Sequence, residues 1–209
     1  MAQHQIITIG RQFGSGGREI GQLLADHLGV KCYDNELLTE AAKESGLCEE
    51  IFKIHDEKPT NSFLYSLVMD SYPGYGGGFG INGIPLSQQV FLAQFDTIRK
   101  IAKNESCIFV GRCADYALKD EEDCDVTSVF ICSDDQSRMK RISERYEVTE
   151  SKAREMMLKT DKKRASYYNY YTDKRWGNSS SYDLCINSGK IGIPNTIKLI
   201  SEFVQMAKI

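Results

Sequence analysis

Residues 6–28, IITIGRQFGSGGREIGQLLADHL, decide how this chain is read. Residues 6–9 are rich in apolar side chains and predict a buried strand, residues 10–17 form a turn dense in glycine, and from Arg18 the spacing is helical. That spacing puts Ile20, Leu23, Leu24, His27 and Leu28 on one side of the expected helix. Strand, glycine turn and helix in succession make an anion site. Glycines let backbone N–H groups point inward around a phosphate, and the helix that follows presents unpaired amides and a partial positive charge to the same point. The alternative is a glycine-rich strand-to-helix turn that holds nothing.

Spacing narrows the choice of phosphate ligand. A dinucleotide fingerprint needs glycine at three positions of G-x-G-x-x-G; Gly14 and Gly16 fit, but the third falls on Glu19. A P-loop needs G-x-x-x-x-G-K-[ST]. With Gly16 as its second glycine the lysine position holds Gly17, and with Gly17 it holds Arg18, so neither register supplies a lysine.

The 209 residues suit one domain with a substantial core, and a net charge of −3 with 26% charged residues exerts no general pull toward nucleic acid or membrane. No apolar run approaches a membrane span and the N-terminal residues lack a signal pattern, so a cytoplasmic location is expected. Seven cysteines, an odd number without a C-x-x-C pair, argue against a disulfide framework or zinc site. Cys32, Cys107, Cys132 and Cys185 fall in or beside expected strands and read as small core residues. His4, His27 and His55 are scattered and form no metal cluster with carboxylates, so no protein-held metal is expected.

Beyond the first helix, Gly29 suits a C′ position, residues 31–33 a second strand, and Asn35-Glu36 a helix start. Asp34 is open to two readings, a capping residue or an acid at the ligand-bearing end of a strand. Residues 44–88 differ in texture: residues 71–83 hold six glycines among thirteen, which predicts a mobile loop. Phe63, Leu64, Leu67, Tyr72, Tyr75 and Phe79 give this segment apolar surface, for a substrate-covering flap or for contact with a second subunit in a homo-oligomer. Val90, Phe91, Phe95, Ile98 and Ile101 mark an amphipathic helix over residues 87–104, leading to a buried strand at 107–110. Gly111-Arg112 closes that strand and sets a guanidinium, shaped for a bidentate phosphate contact, at the same edge. A fourth strand is expected at 127–131 and a helix from Asp134 capped by Ser133. A long polar helix over 149–171 carries Lys152, Arg154, Lys159, Lys162, Lys163 and Arg164 and ends among tyrosines. Taken alone this is a solvated face; the overall acidity makes single-stranded nucleic acid the weaker reading. A fifth strand at 183–186 and a closing helix at 193–206 complete the chain, with Trp176 and Gly177 before the last strand. Five strands alternating with helices predict an α/β fold with a parallel sheet and helices on both faces.

Three blocks in order, the opening IITIGRQFGSGGREIGQLLADHLGVKCYDNELL, then FVGRCADYAL, then TDKKRASYYNYYTDKRWGNSSSYDLCIN, resemble the cytidylate kinase-like family, a branch of the P-loop nucleoside monophosphate kinases. The resemblance implies a single three-layer P-loop domain over residues 1–209 with strand order 2-3-1-4-5. It implies an acceptor-side insertion or flap at about 44–88 and a mobile lid at about 145–178. It implies transfer of the γ-phosphoryl of Mg-ATP to a nucleoside monophosphate, a pyrimidine one such as CMP, with magnesium arriving on the nucleotide. Gly14, Ser15, Gly16 and Gly17 would cradle phosphate, Arg18 would serve the donor phosphates and the catalysis, Asp34 and Arg112 the acceptor, and Lys163 and Arg164 would be lid charges at the transition state. The two lid-side residues that read the base in cytidylate kinases fall here on Arg164 and Tyr167, which implies a relaxed base choice. A non-catalytic nucleotide-binding sensor or interaction protein is the alternative, motivated by Gly17 in the lysine position.

Overall fold

The computed structural model describes residues 4–34 and 86–207 together with positions 37, 39–41, 43 and 51. Five strands, β1 (His4–Arg11), β2 (Lys31–Tyr33), β3 (Cys107–Val110), β4 (Cys124–Cys132) and β5 (Leu184–Asn187), form one parallel sheet in the order β2-β3-β1-β4-β5. The expected order of 2-3-1-4-5 is therefore correct. The principal described helices are α1 (Gly17–Leu28), α2 (Leu86–Asn104), α3 (Ala114–Ala117), α4 (Asp135–Tyr146), α5 (Glu150–Tyr171) and α6 (Ser188–Met206).

Alternation along the central strand builds both layers. Ile7 and Ile9 face one side, where they pack with Ile20, Leu24 and Ala25 of α1 and Ile200 and Val204 of α6. Ile6 faces the other, against Ile98 and Ala102 of α2, Phe109 and Leu118. Each of these fully buried isoleucines and leucines contributes about 1.5–3 kcal/mol by leaving water. The register pairs Ile9 with Val110 and Arg11 with Ile131, so β1, β3 and β4 end at one edge of the sheet. The strand order changes sense at β1 and β3, the crevice where open α/β sheets take their ligands.

Several local expectations shift. The buried face of α1 is Gly17, Ile20, Gly21, Leu24 and Ala25, whereas Leu23 is exposed, because the close approach to Val110 selects glycine at position 21. Helix α4 is capped by Asp134, not Ser133: the Asp134 carboxylate accepts from the Ser137 amide at 2.8 Å. The last helix begins with a separate turn at Ser188, and Gly192 (φ 78°) kinks the chain into the expected run from 193. Cys107 is buried, but Cys185 lies exposed on the outer strand, so it is not a core residue. The helix start at Asn35-Glu36 and the glycine-rich 71–83 segment, with its flap and oligomer readings, lie outside the described residues. Among the described residues no helix is long and apolar enough to cross a membrane.

Candidate active site

Gly14 (φ 82°) and Gly16 (φ 81°) take left-handed conformations, and Gly16 caps α1, so the glycine turn opens onto the unpaired amides of that helix. The turn has no room for larger residues. A Cβ at Gly14 would lie 2.8 Å from the Arg138 carbonyl oxygen, and one at Gly17 would lie 2.5 Å from the Cβ of Arg11. Ser15 faces inward: its amide and its hydroxyl both donate to the Gln12 carbonyl, and the Ser188 hydroxyl at the start of α6 donates to the Ser15 carbonyl at 2.6 Å. Ser15 thus closes the turn and ties it to the sheet.

A cleft of about 220 Å³ lies over this turn. Its walls carry six arginines, Arg11, Arg18, Arg112, Arg141, Arg145 and Arg164, and two carboxylates, Glu19 and Asp34. Arg18, half exposed, pairs with Asp34 at 2.8 Å, and the buried Arg112 holds the other Asp34 oxygen at 2.9 Å. Asp34 thereby joins the end of β2 to α1 and to the loop after β3. That loop is strained, with Gly111, Arg112 and Cys113 successively left-handed (φ 81°, 57° and 55°). Non-glycine residues held there cost about 1–3 kcal/mol each and concentrate at functional sites. Here the strain turns the Arg112 guanidinium back over Val110, whose carbonyl it also reaches at 3.1 Å.

Helices α4 and α5 form the opposite wall. Phe13 of the glycine turn donates its amide to Asp161 at 2.7 Å, and its carbonyl accepts from Arg138 Nε at 2.8 Å. Arg138 and Asp161 are themselves paired and nearly buried. Arg164 donates to the Arg11 carbonyl at 3.2 Å and lies over the Phe13 ring. Lys163, by contrast, lies on the exposed face of α5 and is not among the residues lining the cleft.

Beside Arg112 and Arg164 is a second, small pocket of about 30 Å³ walled by Tyr167, Tyr168, Trp176 and Tyr182. That is room for a water molecule and not for a nucleobase. Asp115 sits in its wall, accepting from the Tyr168 hydroxyl at 2.6 Å with Lys174 at 3.6 Å. Burial pushes the Asp115 carboxyl above the ordinary aspartate range, opposed by those two partners, and raises the Tyr168 and Tyr182 hydroxyls as well. Trp176 packs edge-on against Phe130 and donates its amide to Asn169 at 2.8 Å, anchoring the chain as it returns from α5 to β5.

The sequence profile of the cytidylate kinase-like family matches residues 6–190. The chain belongs to this family. A cytidylate kinase of Methanococcus vannielii is 26% identical over 201 residues, covering 96% of this chain and 99% of that protein. The crystal structure of an uncharacterized protein from Eubacterium ventriosum superposes with a TM-score of 0.72 at 32% identity, covering 97% of this chain and 99% of that one. A shikimate kinase from Bacteroides thetaiotaomicron has a TM-score of 0.54 at 12% identity, covering 98% and 99%, which shows a shared fold. Membership of the cytidylate kinase-like family supports a nucleotide kinase.

Arg11, Arg138, Arg141, Arg145 and Asp161 escaped the sequence reading. Three of them had a signal: Arg138, Arg141 and Arg145 recur at i, i+3 and i+7, one face of a helix that follows a strand ending at the ligand edge. Asp161 had none, being one acid in a basic helix. Among the described residues no three His, Cys, Asp or Glu side chains gather as a metal site.

Proposed function

We propose that this chain transfers the γ-phosphoryl group of Mg-ATP to a pyrimidine nucleoside monophosphate such as CMP. The observation that carries the reading is the glycine turn and helix N-terminus opening into a cleft walled by six arginines. Phosphoryl transfer needs positioning and charge neutralisation more than covalent chemistry, and this cleft supplies both. In this reading the amides of Gly14, Gly16 and Gly17 hold the donor phosphates, with Ser15 closing the turn that presents them. Arg112, aimed by the strained loop and steadied by Asp34, takes the acceptor phosphate. Arg18, also on Asp34, stands between donor and acceptor, and Arg164 reaches the phosphoryl group in transit from the α5 side, with Lys163 joining on closure of the lid.

Magnesium would be held mainly by the phosphates and water, with Glu19 and Asp34 the carboxylates that line the same cleft. When bound, the ion would supply neutralisation of phosphate charge. With Arg164 and Tyr167 in place of the base-reading pair, CMP is expected to be no more than modestly preferred over UMP or dCMP. The test is incubation of the purified chain with Mg-ATP and CMP, UMP, dCMP, AMP or GMP, following ADP and each diphosphate by chromatography. Formation of ADP and CDP in equal amounts supports the reading. Tight ATP binding without any diphosphate supports the non-catalytic alternative, which Gly17 in the lysine position favours.

A further inference from the structure

We propose that Arg11 supplies, from the end of β1, the donor-phosphate cation that a P-loop ordinarily places on the first residue of its helix. This rests on the donor-site reading above. In a P-loop the lysine follows the last glycine of the turn and reaches the β- and γ-phosphates. Here the last turn glycine is Gly16, in the left-handed cap position, and the first helical residue is Gly17. Gly17 lacks a positive φ, so its backbone would accept any side chain. Its neighbour excludes one: a Cβ at 17 would lie 2.5 Å from Arg11 Cβ and 3.1 Å from Arg11 Cγ. Real Cβ contacts essentially never come so close. With Arg11 in place, position 17 therefore has no room for a lysine.

Arg11 is also in the right place to act. It is the last residue of β1, is 8% exposed, and lines the cleft beside Gly14, Gly16 and Gly17. Arg18, the next residue along the helix, is paired with Asp34 at 2.8 Å. In this proposal the charge sits not on the first residue of the helix but on the strand residue packed directly against it.

The exchange is testable because it is reciprocal. Arg11→Met keeps the Cβ and Cγ that fill the space under Gly17 and removes the charge. Arg11→Gly with Gly17→Lys removes the clash and restores a lysine on the helix. Binding of the β,γ-imido analogue of ATP and of AMP would be measured by calorimetry for wild type, both of these variants and Arg11→Gly, with melting curves for all four. Arg11→Met is expected to weaken analogue binding at least about tenfold and AMP binding less than about twofold, because only the analogue carries the phosphates at issue. The double variant is expected to recover at least about fivefold of what Arg11→Gly loses. Analogue binding unchanged in a folded Arg11→Met, or a double variant no better than Arg11→Gly, overturns the inference while leaving the donor site standing. Wild-type protein that binds neither nucleotide overturns the donor-site reading and this inference with it.

Discussion

Removing the Asp161 carboxylate tests how the glycine turn is held. Asp161 has two tasks: one oxygen accepts the Phe13 amide at 2.7 Å, and the other pairs with Arg138, whose side chain is 4% exposed. Asp161→Ala leaves a nearly buried guanidinium and a backbone N–H without these acceptors. Breaking a buried pair by removing one partner costs about 3–5 kcal/mol, chiefly because the surviving charge stays desolvated. Two features moderate that loss. Arg138 Nε still reaches the Phe13 carbonyl, and Asp135, 3.4 Å away and 71% exposed, can move in. The expected loss is therefore about 2–4 kcal/mol at neutral pH, which for a domain of this size is a fall in Tm of roughly 4–16 °C.

Asp161→Asn separates the two tasks, since its amide oxygen can still accept from Phe13 while the charge is gone; it is expected to lose about half as much. Guanidinium unfolding curves for wild type and both variants give the comparison, with equal m-values as the check that only stability has changed. An Asp161→Ala protein within about 0.5 kcal/mol of wild type would refute the reasoning, placing the contact among exposed pairs of little consequence.

Three further outcomes follow from the same geometry. Arg112→Ala is expected to raise the acceptor KM with kcat little changed, whereas Arg164→Ala and Lys163→Ala lower kcat, because charges on α5 engage fully only when the site closes; steady-state kinetics with CMP as acceptor checks this, and unchanged kcat in both α5 variants would return that helix to a solvated face. Gly14→Ala is expected to lower Tm more than Gly29→Ala: both positions have positive φ, at 82° and 68°, but only Gly14 adds a clash, with the Arg138 carbonyl oxygen, while nothing lies within 4 Å of a Cβ at Gly29. Burial raises the Asp115 carboxyl above its ordinary value of 3.8, so its contribution to stability is full below that pH and is lost as pH rises through the native value; Asp115→Asn, which mimics the neutral acid, is expected to melt above wild type at pH 7 with the gap closing toward pH 4, and a gap independent of pH would refute the assignment.

The sheet was legible because its strands are short apolar runs between glycine and helix signals, and burial on both faces leaves such runs little else to be. The glycine turn was legible for the same reason that it is rigid: Gly14 has neither the φ nor the space for another residue. What escaped was the far wall. Arg138 and Asp161 are separated by 23 residues and meet only because α4 and α5 pack side by side, and a polar helix reads alike whether its charges face water or one another. The reading of α1 failed at Leu23 because hydropathy treats glycine as neutral, whereas Gly21 is on the buried face by virtue of its size.

Why the cleft should be built from arginine follows from its desolvation. The chain carries a net charge of −3, yet this one cleft sets six guanidinium groups against two carboxylates, so the positive field is local. Glu19 pairs with Arg141 at 2.8 Å, and Asp34 divides itself between Arg18 and Arg112, which leaves the cleft cationic by four formal charges, six less two. An ammonium in that company, taken from water as Arg11 and Arg112 are, would be pushed toward its neutral form, away from the charge that phosphate needs. A guanidinium does not titrate in this range, is less strongly hydrated, and spreads its charge over a fork matched to phosphate oxygens. On the proposal that Arg11 is the donor cation, its move from the helix to β1 carries a change of residue type with it. Arg11, at the end of the central strand and 8% exposed, sits where burial works against an ammonium and where a guanidinium keeps its charge.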